Sequence, residues 1–307
     1  MFGKKPESFI DFANQYLEYL LTNGKSSTRS KALSVIVKLK EFINGKDLLF
    51  TDIDVSFIKK YESYLRNIKG NKINTIHSDL KVIRRIVKEA VRESLITDNN
   101  NPFKNYKLKW EDSNVIYLND DEIQRLKELE LNPKIMEHHV RNIFVFSCYA
   151  GGLRISDVLK LKWRQFDGER IELNTQKSNA KVSILLPNVA LRILEIYKVS
   201  KLSDSDFIFP FLNNNADYTM QKKLYRDISS RTAYANKLLK SICEKAKINK
   251  QIHFHVSRHT FATQALKRGM RIEYVSKLLG HSSIKTTQIY AKIVDAELDK
   301  AMEVFND

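Results

Sequence analysis

The sequence predicts a mainly α-helical protein of two domains with one small antiparallel β-sheet, an α+β chain. Three observations predict it. Apolar residues recur at helical spacing along most of the chain, the period changes from 3.6 to 2 only over residues 170–186, and the polar stretch "DNNNPFKNYKLKWEDSN" interrupts the pattern from Asp98 onward. At 307 residues the chain has the length of two ordinary domains. The breaks place a helical domain over residues 1–108, a linker over 109–115 and a second domain over 116–307.

The first domain reads as four helices. "SFIDFANQYLEYLL" sets Phe9, Phe12, Ala13, Tyr16, Leu17 and Leu20 at helical spacing after Ser8, a capping residue type. A second helix fills "STRSKALSVIVKLKEFI" and stops near Asn44-Gly45, and a third opens at Asp54 with Phe57, Ile58, Tyr61 and Leu65. In the fourth, "INTIHSDLKVIRRIVKEAVRES", Leu80, Ile83, Val87 and Ala90 form an apolar stripe, while Lys81, Arg84, Arg85, Lys88 and Arg92 form a basic one. A near-absence of acidic partners on that stripe points to phosphate contacts rather than to an ordinary solvated face.

In the second domain, "YLNDDEIQRLKELE" starts a helix at Asn119 or Asp120 with an acidic first turn that suits the helix dipole. "VRNIFVFSCYAGGLRISDVLKLKW" comes after it as two helices broken at Gly151-Gly152. The hairpin is next: "RIELNTQ" alternates Ile171, Leu173 and Thr175, "KVSILL" alternates Val182, Ile184 and Leu186, and "KSNA" turns between them. Further helices are expected over 187–199, about 230–246, 256–268 and 272–279, with one or two near the end.

Charge narrows the function. Lys and Arg number 52 against 36 Asp and Glu, a net charge of +16 with a pI of about 9.6. Such a surplus makes a polyanion, and duplex DNA first, the default partner. No window approaches the ~18 apolar residues of a membrane span, and "MFGKKPESF" lacks a secretory apolar core, so the expectation is a cytoplasmic, nucleoid-associated protein with no membrane partner. Cys148 and Cys243 read as buried small hydrophobes. There is no Walker A motif and no carboxylate cluster suited to two-metal nuclease work, so no cofactor and no metal are expected.

The chemistry concentrates in "HVSRHTF". His255 and His259 lie four apart, a zinc spacing, with His253 and His281 as further candidates, but Val256 stands where a metalloprotease needs its Glu. Upstream, "AGGLRISD" presents Arg154 after two glycines and Asp157 three residues on; downstream, "LLGHSSIKTTQIYA" puts His281 after a helix-ending Gly280 and then Tyr290. Taken singly, Arg154 with Asp157 is a surface ion pair and Lys177 a solvated turn residue.

Together the motifs resemble the tyrosine recombinases, the phage integrase family, whose series of Arg, Lys, His-x-x-Arg, His or Trp, and Tyr occurs here in order as Arg154, Lys177, His255 with Arg258, His281 and Tyr290. The match covers residues 110–307, with the helical N-terminal part similar in pattern to the family's core-binding, SAM-like domain. The resemblance implies a C-shaped DNA clamp and site-specific recombination: integration, excision or inversion. Tyr290 would be the nucleophile that forms a covalent 3′-phosphotyrosine, with Arg154, Arg258 and His281 on the phosphate oxygens, His255 taking or passing the tyrosine's proton, and Lys177 protonating the leaving 5′-oxygen. Asp157 would hydrogen-bond one of the cationic members. Lys181, across the same turn, is an alternative to Lys177, and Lys223 and Arg231 are candidate phosphate contacts. The covalent intermediate conserves bond energy, so neither ATP nor metal would be needed.

The resemblance also implies a homotetramer on paired DNA sites, linked through a C-terminal exchange helix in "KIVDAELDKAMEVF", with accessory DNA-bending proteins as further partners. The early start of the core-binding helices suggests either a naturally short recombinase or one lacking the additional arm-binding domain of many integrases. Two alternatives stay open: a type IB topoisomerase-like nicking and closing enzyme, and a non-catalytic regulator using "RIEYVSKLLGHSSIKTTQIY" as a helix-turn-helix.

Overall fold

A computed structural model describes residues 8–112, 114–177 and 179–302. The chain divides into two compact units, with the division between residues 113 and 114.

The N-terminal unit is built on four helices: α1 (Phe9–Thr22), α2 (Ser26–Phe42), α3 (Val55–Asn67) and α4 (Ile73–Arg92). Ser8 caps α1 by accepting from the Asp11 amide at 3.1 Å, and its own hydroxyl donates to Asp47 at 2.6 Å, which joins the helix start to the chain before α3. Asp54 caps α3 through the Phe57 amide. The apolar stripes expected from the sequence meet in one core that contains Phe9, Leu39, Tyr61, Leu65, Leu80 and Ile86. Asp79, buried on α4, is paired with Lys38 of α2, so the charge is neutralised where it is desolvated.

The stretch after α4 is strapped back onto this unit. Tyr106 hydrogen-bonds the buried Glu62, and Lys109 pairs with the same carboxylate at 3.2 Å. Asn74 exchanges two hydrogen bonds with the Glu111 backbone, at 2.7 and 3.0 Å, and His77 bonds the Lys109 carbonyl at 2.9 Å. Residues 109–111, which the sequence puts in the linker, therefore lie against α3 and α4.

The second unit packs α5 (Asp120–Glu128), α8 (Asn188–Lys198), α9 (Gln221–Lys245) and α10 (His255–Lys267) against a central α6 (Met136–Tyr149). Asn119 and Glu122 form a reciprocal capping box at the start of α5. After α6 come the short α7 (Ile155–Leu159) and a two-stranded antiparallel sheet, β1 (Arg170–Asn174) with β2 (Lys181–Leu185), in register from Arg170 opposite Leu185 to Asn174 opposite Lys181. Ile171, Leu173, Thr175, Val182, Ile184 and Leu186 are all buried, so the period-2 reading selected the inward face. The last helices are α11 (Ile272–Leu278) and α12 (Gln288–Met302).

Two departures have simple causes. Helix α9 starts about nine residues before the expected position near 230, because its first turns, with Lys222, Lys223 and Arg226, carry almost no buried residue and hence no apolar period to read. Between α11 and α12 the chain makes a 3₁₀ turn over Ile284–Thr286, so the second helix of the helix-turn-helix reading begins only at Gln288. Cys148 and Cys243 are free and buried, as expected of small core hydrophobes. No helix among the described residues is long and apolar enough to cross a membrane.

Candidate active site

The site grows from the Gly151-Gly152 break. Both glycines hold positive φ, 63° and 64°, and a Cβ on Gly152 would lie 2.9 Å from Leu279 Cδ2 and 3.3 Å from Arg258 Cα. Only glycine lets this turn run so close to α10 and the end of α11. Ser147 supports it, donating to the Leu153 carbonyl at 2.7 Å and touching the Ser257 hydroxyl at the same distance. Arg154, immediately after the turn, is the N-cap of α7, and its Nη1 is buried with no hydrogen-bond partner among the described residues.

Arg258 is 2% exposed and donates to the Gly152 carbonyl at 3.0 Å and to the Leu279 carbonyl at 2.6 Å. Burial first, and Arg154 after it, push its pKa down to about 10, which leaves it charged at neutral pH. Tyr290, in the first turn of α12, is 2% exposed and sits in a small core with Ala262, Ala265, Val275 and Leu279. Burial raises its pKa, while the charges of Arg258 and Arg154 act to lower it, so both guanidiniums bear on the phenol.

Three histidines complete the cluster. His281 bonds Thr287 through Nδ1 at 2.9 Å and is pushed down to about 4 by burial, then by Arg258, Arg154 and Lys177. His255, the first residue of α10, is pushed down to about 3, by burial first and then by His259, Arg258, His253 and Arg154. The residue is nevertheless exposed, and the imidazole is neutral at pH 7.

Two expectations are corrected. Tyr290 Oη is bonded by His259 Nδ1 at 2.9 Å, one helical turn beyond His255, and not by His255 itself. Asp157, 4% exposed, spends Oδ1 on the Gln176 backbone amide at 2.8 Å rather than on a cationic side chain. Its pKa is raised by burial, against the opposing charges of Lys160, Arg154 and Arg258. Sequence reading overlooked Thr287, Ser147, Ser257 and Gln176, none of which has a signal at sequence level; His259 had one, its i, i+4 spacing from His255, which was weighed for zinc. Among the described residues no group of three His, Cys, Asp or Glu is placed to hold a metal ion.

In the N-terminal unit, Lys81, Arg85, Lys88 and Arg92 are exposed on α4 and Arg84 is half-buried. The stripe has an acidic partner after all: Glu89 pairs with Arg85 at 2.6 Å and with Arg92 at 3.1 Å, since i, i+4 and i, i+3 neighbours share a face. Lys81, Arg84 and Lys88 are left as the stronger phosphate candidates.

A helical core around a hairpin, with two arginines, a lysine, histidines and a buried tyrosine drawn together, is the architecture of a DNA strand-transferring enzyme. Comparison with known proteins agrees. The Phage integrase family model matches residues 116–297, and the Phage integrase SAM-like domain matches residues 8–108. The chain belongs to the phage integrase family and is a tyrosine recombinase. It is 24% identical to "Tyrosine recombinase XerC-like" of Caldanaerobacter subterraneus subsp. tengcongensis, over 99% of this chain and 79% of that protein, and 27% identical to "Tyrosine recombinase XerD" of Rickettsia bellii, over 95% and 97%. In fold it is similar to the XerH site-specific recombinase bound to palindromic difH substrate (TM-score 0.71, 16% identity, 97% of this chain and 96% of that one). It is likewise similar to the Tn1549 transposon integrase in complex with a circular intermediate DNA (TM-score 0.70, 17% identity, 96% and 100%).

The depressed histidines predict acid sensitivity. His255, His259 and His281 sit near 3 to 4 in the folded protein against an ordinary 6.5, so the unfolded chain binds protons that the folded one refuses. Their contribution is intact above pH 6.5 and is lost as pH falls towards 4. The melting temperature should drop across pH 6.5 to 5, and His281→Asn should flatten that drop in thermal melts; an unchanged slope would count against the assignment.

Proposed function

We propose that the protein is a site-specific DNA recombinase in which Tyr290 cuts and rejoins the strand through a covalent 3′-phosphotyrosine. The observation that carries this reading is the buried cluster itself: Arg258 is tied to the Gly152 and Leu279 carbonyls, next to Arg154 and His281, on the helix whose His259 bonds the buried Tyr290 hydroxyl at 2.9 Å. Attack on a phosphodiester builds negative charge on the non-bridging oxygens, and preorganised guanidiniums stabilise it without reorganising. Arg154 has an unused buried nitrogen for that purpose, and Arg258 still has donors beyond the two spent on carbonyls. His281 and the exposed His255, both neutral, add donors to the phosphate. Lys177, on the exposed hairpin turn, protonates the leaving 5′-oxygen. Asp157 acts by holding the start of that turn.

DNA is the partner, gripped in part by Lys81, Arg84 and Lys88 of α4, with Arg85 and Arg92 contributing less because Glu89 already engages them. Assembly into a homotetramer on paired sites draws support from the last helix. Leu298 and Met302 are exposed on α12, and the catalytic unit has a mainly apolar cleft of about 540 Å³ lined by Tyr149, Ile184, Phe261, Met270 and Leu278 that can receive such side chains. Ile293 packs inward; Phe305 lies outside the described residues, as do the side chains of Ala296 and Glu297. Accessory DNA-bending proteins and a nucleoid location complete the reading.

Three experiments test it. Duplexes selected from a random library by binding, then nicked and incubated with the protein and EDTA, should yield a covalent adduct on a denaturing gel that Tyr290→Phe abolishes. Binding without any adduct would instead support a regulator. Replacing Lys81, Arg84 and Lys88 by Ala should weaken binding to all sequences alike and lower the slope of log K against log salt by about 2 to 3; an unchanged slope would remove α4 from the interface. Leu298→Asp with Met302→Asp should leave the adduct intact but reduce the largest protein–DNA complex seen by sedimentation, and undiminished assembly would exclude the α12 contact.

A further inference from the structure

The nucleophile's hydroxyl is shut away from water. Tyr290 is 2% exposed, so a proton leaving Oη has to pass to a protein group that touches it. One does: His259 Nδ1, at 2.9 Å. His255, the histidine that the motif would nominate, stands a turn earlier on α10, its ring perpendicular to that of His259 at 4.6 Å between centroids. Of the two, His255 is exposed and His259 half-buried against Tyr290.

We propose that His259 is the group that accepts the Tyr290 proton during strand cleavage and returns it on rejoining, leaving His255 to face the phosphate. The inference rests on Tyr290 being the nucleophile. In the tautomer with hydrogen on Nε2, Nδ1 offers its lone pair to the phenol O–H. On attack the Tyr290 oxygen forms its bond to phosphorus, the proton moves to Nδ1 to give an imidazolium, and the bond from phosphorus to the 5′-oxygen breaks with a proton supplied to that oxygen by Lys177. Rejoining reverses each transfer. His259 is suited to this because it is kept unprotonated beforehand: burial, then the charges of His253 and Arg258, push it down to about 4. Among the described residues the groups that bear on it are His253, His255 and Arg258 from its own segment and Tyr290 from α12, and no carboxylate pairs with it. The imidazolium formed there stands beside another cation, so the proton is readily given back when the phenolate returns.

Adduct formation on the nicked duplex, followed in single turnover, tests the assignment. His259→Gln keeps an oxygen that can accept from Oη but cannot take up a proton, and it should slow cleavage by about 10² or more while DNA binding is unchanged. A fluorinated tyrosine at position 290, whose phenol ionises near neutral pH, should restore most of that rate. His255→Asn should slow cleavage without such rescue. Full activity in His259→Gln would overturn the proposal, as would a loss that fluorotyrosine does not repair, since either would leave His259 a merely structural role. Should His259→Gln fail to fold, the fluorotyrosine alone in the otherwise unchanged protein decides: it should make the cleavage rate less dependent on pH, and an unaltered profile overturns the proposal. An adduct that survives Tyr290→Phe would strike the nucleophile assignment instead, a separate and distinguishable failure.

Discussion

A guanidinium 2% exposed has to be satisfied where it lies, and Arg258 is satisfied by the backbone of two other segments. Its bonds to the Gly152 and Leu279 carbonyls tie α10 at once to the glycine turn after α6 and to the end of α11. Those are the segments that carry Arg154 and His281. Three members of the proposed catalytic series, Arg154, Arg258 and His281, are thereby held together by one buried cation whose partners are carbonyls rather than carboxylates. That choice matters, because a carboxylate at the same place would cancel the charge that a phosphate is meant to meet.

The remaining electrostatics stem from the same arrangement. Burial first, and then Arg258 and Arg154, drive His255 and His281 neutral, with Lys177 adding to the effect on His281. Neutral imidazoles can donate from one nitrogen and accept at the other, which imidazolium cannot. In the proposed mechanism the cations stabilise charge on the phosphate, while burial, with their help, keeps the histidines unprotonated. The phenol is under opposing influences, its pKa raised by burial and drawn down by the two guanidiniums, with burial prevailing.

Legible in the sequence was whatever leaves a period or an ordered motif. The stripes of α1, α3 and α4, the cap at Asp54, the hairpin face and the order Arg154, Lys177, His255, Arg258, His281, Tyr290 are patterns along the chain, and the structure places the apolar stripes and strand faces inside. The start of α9 was not legible, because a solvated, basic helical turn has no apolar repeat. Nor was Glu89 between Arg85 and Arg92 weighed, although its spacing is that of a helical ion pair. The contacts of His259 and Asp157 were hidden for another reason: motif order says which residues converge, but which of two histidines on one helix face reaches a hydroxyl depends on the depth at which α12 packs on α10.

The hairpin shows how such depth is controlled on the other side of the site. Asp157 lies on α7, three residues after Arg154, and its carboxylate pins the Gln176 amide, which directly precedes Lys177. Thr175 closes the same turn, its amide donating to the Ala180 carbonyl at 2.9 Å and its carbonyl accepting from Asn179, whose positive φ of 51° suits a tight reversal. The base of the hairpin is thereby fixed to the arginine helix, while the Lys177 side chain remains exposed beyond it. The role proposed for Lys177 gains from that division: the backbone supplies its position, and the exposed side chain supplies its reach. The aspartate at this anion site is itself buried, with one oxygen engaged by the Gln176 amide.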